Sequence, residues 1–219
     1  MSKKALILVD IQEDFLPGGA LPVPKGNEII PLANQLLQLP FDIIVATKDW
    51  HPADHGSFAA NQGKNPGEKI SLGGIEQILW PTHCVQETKG AEFPASLNFP
   101  RLDRVFFKGV DKNVDSYSAF FDNGHLKSTG LAEYLCEQGV KDVYVAGLAT
   151  DYCVKYSVLD AVKKGFVVHV VVQACRGIDL APGDSAKALE EMKEAGAKLH
   201  DFRGDGIRVH DLFVPNEAR

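Results

Sequence analysis

Val143-Tyr144-Val145-Ala146-Gly147-Leu148-Ala149-Thr150-Asp151-Tyr152-Cys153-Val154-Lys155 reads as a buried strand, a tight turn and the opening of a helix, with a cysteine in the first helical turn. An uninterrupted apolar strand belongs in a sheet covered on both faces. The N-terminus of a helix offers free N–H groups and a positive dipole end, which favour thiolate over thiol and can hold an oxyanion. This segment therefore predicts both a layer architecture and a nucleophile.

The rest of the chain repeats the pattern. Residues 5–9, 41–47, 104–107, 143–146 and 167–172 read as strands, and 197–200 as an edge strand. Helical spacing covers 27–39, 131–138, 151–164 and 184–195, and a glycine follows each of the last three, a common helix stop. Strands alternating with helices predict an α/β fold of three layers, α/β/α, with a mostly parallel, Rossmann-like central sheet. In such sheets ligands bind beyond the C-terminal strand ends. Residues 51–100 break the rhythm: rich in Gly, Pro, Asn and His and without clear periodicity, they read as a long functional loop. The charged tail after Phe202 has no assigned element.

With 219 residues, the chain suits one domain spanning 1–219, with 51–100 as a loop-rich insertion. A net charge of −6 gives no reason to expect nucleic acid or a membrane surface as partner. No apolar run approaches the ~20 residues that span a bilayer, and the run after Lys3-Lys4 ends at Asp10, too short for a signal peptide. A cytoplasmic protein is expected. The four cysteines, Cys84, Cys136, Cys153 and Cys175, form no CxxC pair and read as free thiols.

Polar residues sit at the ends of the predicted strands. Asp10 ends the first, as either a solvated turn aspartate or a carboxylate on the rim that also holds Cys153. Asp49 and His51 follow the second; two apart in extended chain, they point the same way, as two metal ligands would. His83 and His55 are third and fourth candidates. Aspartate with two histidines and open positions suits Zn²⁺, Fe²⁺ or Mn²⁺ better than Mg²⁺ or Ca²⁺. Cys84, beside His83, reads as a ligand or, since its neighbour His83 would point elsewhere, rather as a packing residue. Lys108 ends the third strand, as a surface lysine or as a fixed positive charge favouring ionised Asp10 and Cys153.

Six stretches carry a resemblance. They are Leu8-Val9-Asp10-Ile11-Gln12-Glu13-Asp14-Phe15, Thr47-Lys48-Asp49-Trp50-His51-Pro52, Trp80-Pro81-Thr82-His83-Cys84-Val85, Phe107-Lys108-Gly109, Asp115-Ser116-Tyr117-Ser118-Ala119-Phe120 and Gly147-Leu148-Ala149-Thr150-Asp151-Tyr152-Cys153-Val154. In this order the chain resembles the nicotinamidases (pyrazinamidases) within the cysteine hydrolases related to isochorismatase. The resemblance implies hydrolysis of nicotinamide to nicotinate and ammonia, in NAD salvage, through a Cys153 thioester. It implies a triad of Asp10, Lys108 and Cys153, and an oxyanion hole from the N–H groups of Ala149 and Cys153 with a cis Leu148–Ala149 peptide. One divalent metal, zinc or else iron or manganese, would be held by Asp49, His51 and His83. Phe15, Trp80 and Tyr117 would wall the ring pocket. Some relatives use a further histidine on the metal; His55 lies near that position with different spacing. The oligomeric state stays open, a homo-oligomer included.

Other readings keep the fold and change the chemistry. Isochorismatase-type relatives cleave an enol ether and others hydrolyse carbamoyl groups, but neither needs a metal to hold a pyridine nitrogen. A non-catalytic binding protein would be expected to have lost a triad or metal residue, and none is missing. A thiol redox protein would need a resolving cysteine near Cys153.

Overall fold

The computed structural model describes residues 2–201 and Leu212. Six parallel strands form its central sheet: β1 Lys3–Val9, β2 Ile43–Asp49, β5 Arg104–Lys108, β6 Val140–Leu148, β7 Val167–Arg176 and β8 Lys198–His200. Their spatial order is β5-β2-β1-β6-β7-β8. From β1 the chain builds outward through β2 to β5, then returns across the sheet to β6 and builds the other way. The strand order thus reverses between β1 and β6, the place where a doubly wound sheet opens a crevice at its C-terminal edge. Asp10 leaves β1 at that crevice and the Cys153 segment leaves β6 there.

Side-chain alternation divides the core in two. Ala5, Ile7 and Val9 pack with α2 (Leu131–Glu137), α3 (Lys155–Lys163) and α4 (Asp184–Glu194) on one face. Leu6 and Leu8 pack with α1 (Ile30–Leu36) on the other. This is the expected three-layer α/β/α arrangement, and β8 is the expected edge. At Gly147, φ is +133° and a Cβ would stand 2.7 Å from the Val9 nitrogen, so β6 meets β1 at the crevice only with glycine there.

Three local expectations are corrected. The helix expected over 27–39 is a 3₁₀ turn, Gly26–Ile29, followed by the short α1, with Pro31 in its first turn. The helix expected over 151–164 opens with a π-helical turn, Thr150–Val154, so Cys153 lies in that turn and α3 begins only at Lys155. Within 51–100, β3 (Lys69–Leu72) and β4 (Ile75–Ile78) form an antiparallel hairpin joined by Gly73-Gly74. Leu212 packs against the α1-side core, and the rest of the tail lies outside the described residues. No helix among the described residues is long and apolar enough to cross a membrane.

Candidate active site

Strand register brings the polar strand ends together. Asp49 and Lys108 are paired neighbours at the ends of β2 and β5. Lys108 is 2% exposed and its ammonium is the hub of the site. Its Nζ lies 2.8 Å from Asp10 Oδ2 and 3.4 Å from Cys153 Sγ, donates to the Ser116 carbonyl at 2.9 Å, and bonds Asp49 Oδ1. A buried lysine survives as a cation only when paired, and here burial is outweighed by Asp10 and Asp49, which hold its pKa well above the ordinary value.

The two carboxylates answer the same cation differently. Burial pushes Asp10 up to about 6, against the pull of Lys108, with the Asp49 charge adding to the rise. Burial opposes ionisation of Asp49 too, yet Lys108 and His51 hold it well below the usual carboxylate range. Thr47 Oγ1 donates to Asp10 Oδ1 at 2.6 Å. The other oxygen, Oδ2, faces the Lys108 ammonium at 2.8 Å. Cys153, 6% exposed, is raised well above the ordinary thiol value by burial, against the pull of Lys108 and with Asp10 adding to the rise. Desolvation therefore acts on this sulfur in the direction opposite to the helix terminus and to Lys108.

Asp49 has a second role through its other oxygen. Asp49 Oδ2 lies 3.7 Å from His51 Nε2 and 3.9 Å from His83 Nε2. The far ring nitrogens settle the tautomers. His51 Nδ1 is 2.9 Å from the Gly109 carbonyl and His83 Nδ1 is 2.7 Å from the Pro81 carbonyl. A carbonyl only accepts, so each Nδ1 carries the hydrogen and each Nε2 of the neutral ring offers a lone pair. His51 Nε2 is buried without a hydrogen-bond partner among the described residues. Burial pushes His83 down to about 4, which favours its neutral form, whereas the Asp49 carboxylate raises His51 against its own burial. Ligand atoms of Asp49, His51 and His83 lie within 4.8 Å of one another. One carboxylate and two such imidazoles fit a zinc-class divalent ion. Gly109 guards this arrangement: its φ is +64°, and a Cβ there would lie 2.6 Å from His51 Nδ1.

One pocket joins both clusters. Phe15, Trp80 and Tyr117 line it with Asp49, His51, His83, Ala149 and Cys153. Every residue proposed from the sequence thus borders the pocket or touches one that does. The Leu148–Ala149 peptide is cis. Cys84 packs in the α1-side core, as expected. His55 is buried beside His51, ring centroids 4.4 Å apart.

Other residues of the site went unread. Gln12, wholly buried, accepts from the Asp49 N–H and donates to the Asp49 carbonyl, both at 2.8 Å, clamping the end of β2. Thr47 was legible in principle, since it precedes Asp49 by two residues and shares its face. Asp115, Tyr152, Leu21 and Ile178 complete the lining. Asp151 ties Ile178 in place, its carboxylate accepting from the Ile178 and Asp179 N–H groups at 2.9 and 2.7 Å.

Residues 4–202 match the model of the isochorismatase domain, and the chain belongs to that family. Within the family its relatives include nicotinamidases, which are amide hydrolases. It is 46% identical to the nicotinamidase of Escherichia coli, over 91% of this chain and 95% of that one. Among solved structures, a nicotinamidase and pyrazinamidase of Acinetobacter baumanii superposes with a TM-score of 0.87 at 46% identity, covering 91% of this chain and 96% of that one. A pyrazinamidase of Pyrococcus horikoshii, determined in complex with zinc, gives 0.75 at 42% identity, covering 91% and 99%.

Proposed function

We propose that residues 1–219 form one catalytic domain, with the 51–100 segment as an insertion. It hydrolyses nicotinamide, and pyrazinamide as a close analogue, to the acid and ammonia in cytoplasmic NAD salvage. The observation that carries this reading is the position of Lys108, whose Nζ is 3.4 Å from Cys153 Sγ while its Asp49 partner faces His51 and His83 across the same pocket. A thiol nucleophile and a set of metal donors therefore address one bound molecule from two sides. Kinship with nicotinamidases supports the same substrate.

Asp49, His51 and His83 would hold a divalent ion, zinc by analogy with the pyrazinamidase relative. When bound, it supplies a Lewis-acidic point that a pyridine nitrogen can occupy, orienting the ring. Phe15, Trp80 and Tyr117 enclose that ring, presenting its carboxamide to Cys153. Asp10 Oδ2 removes the thiol proton while sulfur attacks the amide carbon and the carbonyl electron pair moves onto oxygen. The N–H groups of Ala149 and Cys153 stabilise that oxyanion. Asp10 returns its proton to the amide nitrogen, the C–N bond breaks, ammonia leaves and a thioester remains. Water then adds to the thioester with its proton going to Asp10; the C–S bond breaks and Asp10 reprotonates the sulfur. Lys108 keeps its charge throughout and offsets the transient thiolate.

Ammonia release from nicotinamide and pyrazinamide, run beside pyruvate release from isochorismate, tests the reading. Both amides are expected to be cleaved and isochorismate left intact. Chelation should abolish turnover, with recovery on zinc, iron or manganese. Pyruvate without ammonia would overturn the assignment, and full activity after metal removal would overturn the binding role of the ion.

A second expected result concerns pH. Asp10 must be ionised to accept the thiol proton, so kcat/KM falls as pH drops through its pKa. The Thr47 hydroxyl donates to the ionised form and lowers that pKa. Thr47→Val should therefore move the acid limb of the profile to higher pH. An unmoved limb would show that a group other than Asp10 sets it.

A further inference from the structure

His55 and Asp115 form, with His51, a second group of ligand-type atoms within 4.8 Å of one another. His51 belongs to both groups but has only one lone pair to give, because its Nδ1–H is committed to Gly109. The protonation of His55 decides what the second group is. The Ser57 backbone N–H donates to His55 Nδ1 at 3.1 Å, and Ser57 Oγ lies 2.7 Å from the same nitrogen. A nitrogen that accepts an N–H bond carries no hydrogen, so in the neutral ring the hydrogen is on Nε2. That tautomer is the reverse of the one in His51 and His83. His55 Nε2 is buried and unpartnered among the described residues; the Val114 carbonyl acts on the ring without reaching hydrogen-bond geometry with Nε2.

Asp115 complements it. This carboxylate, 3% exposed, accepts from the Ser116 N–H at 2.7 Å and from Gln77 Nε2 at 3.1 Å. A carboxylate has about four acceptor sites, so capacity remains on a residue that also lines the pocket. A buried donor on His55 and an under-used acceptor on Asp115, whose carboxylate lies within 4.8 Å of a His55 ring nitrogen, match a solvent molecule that accepts from one and donates to the other.

We infer that His55 is a hydrogen-bond donor, not a fourth metal ligand, and that with Asp115 it holds a water beside the ion bound by Asp49, His51 and His83. The inference rests on the metal reading of those three residues. His55 is then a positioning residue that sets metal affinity from outside the ligand set, an effect that is typically about ten- to a hundredfold.

Long-range proton–nitrogen correlation spectra read the tautomer directly. His55 is expected to show Nε2–H in the metal-free protein and to keep it on saturation with Zn²⁺, while His51 and His83 shift. Titration with Zn²⁺ and with Co²⁺, whose absorption reports coordination number, reads the rest. His55→Gln, which places an amide donor near the Nε2 position, should bind within about threefold of the parent with an unchanged Co²⁺ spectrum. His55→Leu and Asp115→Asn should each weaken Zn²⁺ about tenfold, with unfolding temperatures of the metal-free forms confirming the fold. The inference is overturned if His55 shifts as a ligand does, if His55→Gln loses metal as completely as His83→Ala, or if His55→Leu binds like the parent. Failure of the parent chain to bind metal would instead refute the metal reading, and the tautomer of the metal-free protein would still decide whether His55 is a donor.

Discussion

Cys153→Ala is expected to release no measurable ammonia from nicotinamide, a loss of at least about 10⁴-fold in kcat, as removal of an activated nucleophile brings elsewhere. The protein should remain folded. Cys153 is buried in the core that includes α3, but the change removes one sulfur atom and keeps the methyl-sized stem, so its unfolding temperature should move by only a few degrees. Zinc binding should also persist, because none of Asp49, His51 and His83 loses a partner. Cys153→Ser should be nearly as inactive. Asp10, at about 6, is a weak base for the thiol, which Lys108 assists by lowering its pKa, and a far weaker one for an alcohol, whose proton it would hardly take. Ammonia release by the alanine variant above a hundredth of the parent rate would remove Cys153 from the mechanism, whereas loss of zinc binding or fold in that variant would make the activity result uninformative about chemistry and direct the test to the serine variant.

The layer architecture and the convergence of strand ends were legible because both follow from short-range pattern. Five apolar residues in a row, bounded by polar residues and too few for a helix, fit a doubly covered strand, and a polar residue closing such a strand lies on the rim. The hairpin β3–β4 was missed although Ile70 and Leu72 flank Gly73-Gly74 with Ile75 and Ile78 beyond it, a two-residue turn signal in a run otherwise dominated by polar residues. The roles of Gln12 and Asp115 were not legible for another reason. Gln12 acts on the backbone of Asp49, 37 positions away, and Asp115 acts beside His55, 60 positions away, so their partners are set by strand crossovers and by the course of the long insertion. The thiolate expectation weighed only the helix terminus, about 0.3–2 kcal/mol, and not the burial of Cys153, which acts on the sulfur in the opposite direction.

Asp49→Ala should have two effects of opposite sign, because this one carboxylate serves both halves of the site. Its Oδ2 faces His51 and His83, so zinc affinity should fall by about a hundredfold or more, since the only anionic donor of the set is gone. Its Oδ1 shares Lys108 with Asp10 and Cys153. The Asp49 charge raises the Cys153 pKa, whereas Lys108 lowers it. Without Asp49 the ammonium is offset by Asp10 alone, and more of its field falls on the sulfur. Metal-free Asp49→Ala should therefore alkylate at Cys153 several-fold faster than the metal-free parent at neutral pH. Peptide mass spectrometry is the appropriate readout, because Cys136 is exposed and will react as well. His83→Ala supplies the contrast: it should weaken zinc without accelerating alkylation, since His83 makes no contact with Lys108 among the described residues. Equal alkylation in the two variants would mean that Asp49 does not govern the nucleophile, and unchanged zinc affinity in Asp49→Ala would mean that the ion is held elsewhere. If both effects appear together, the second oxygen of a metal-binding aspartate is what poises the thiol, and the protein cannot lose its ion site by mutation at Asp49 without also releasing its nucleophile from restraint.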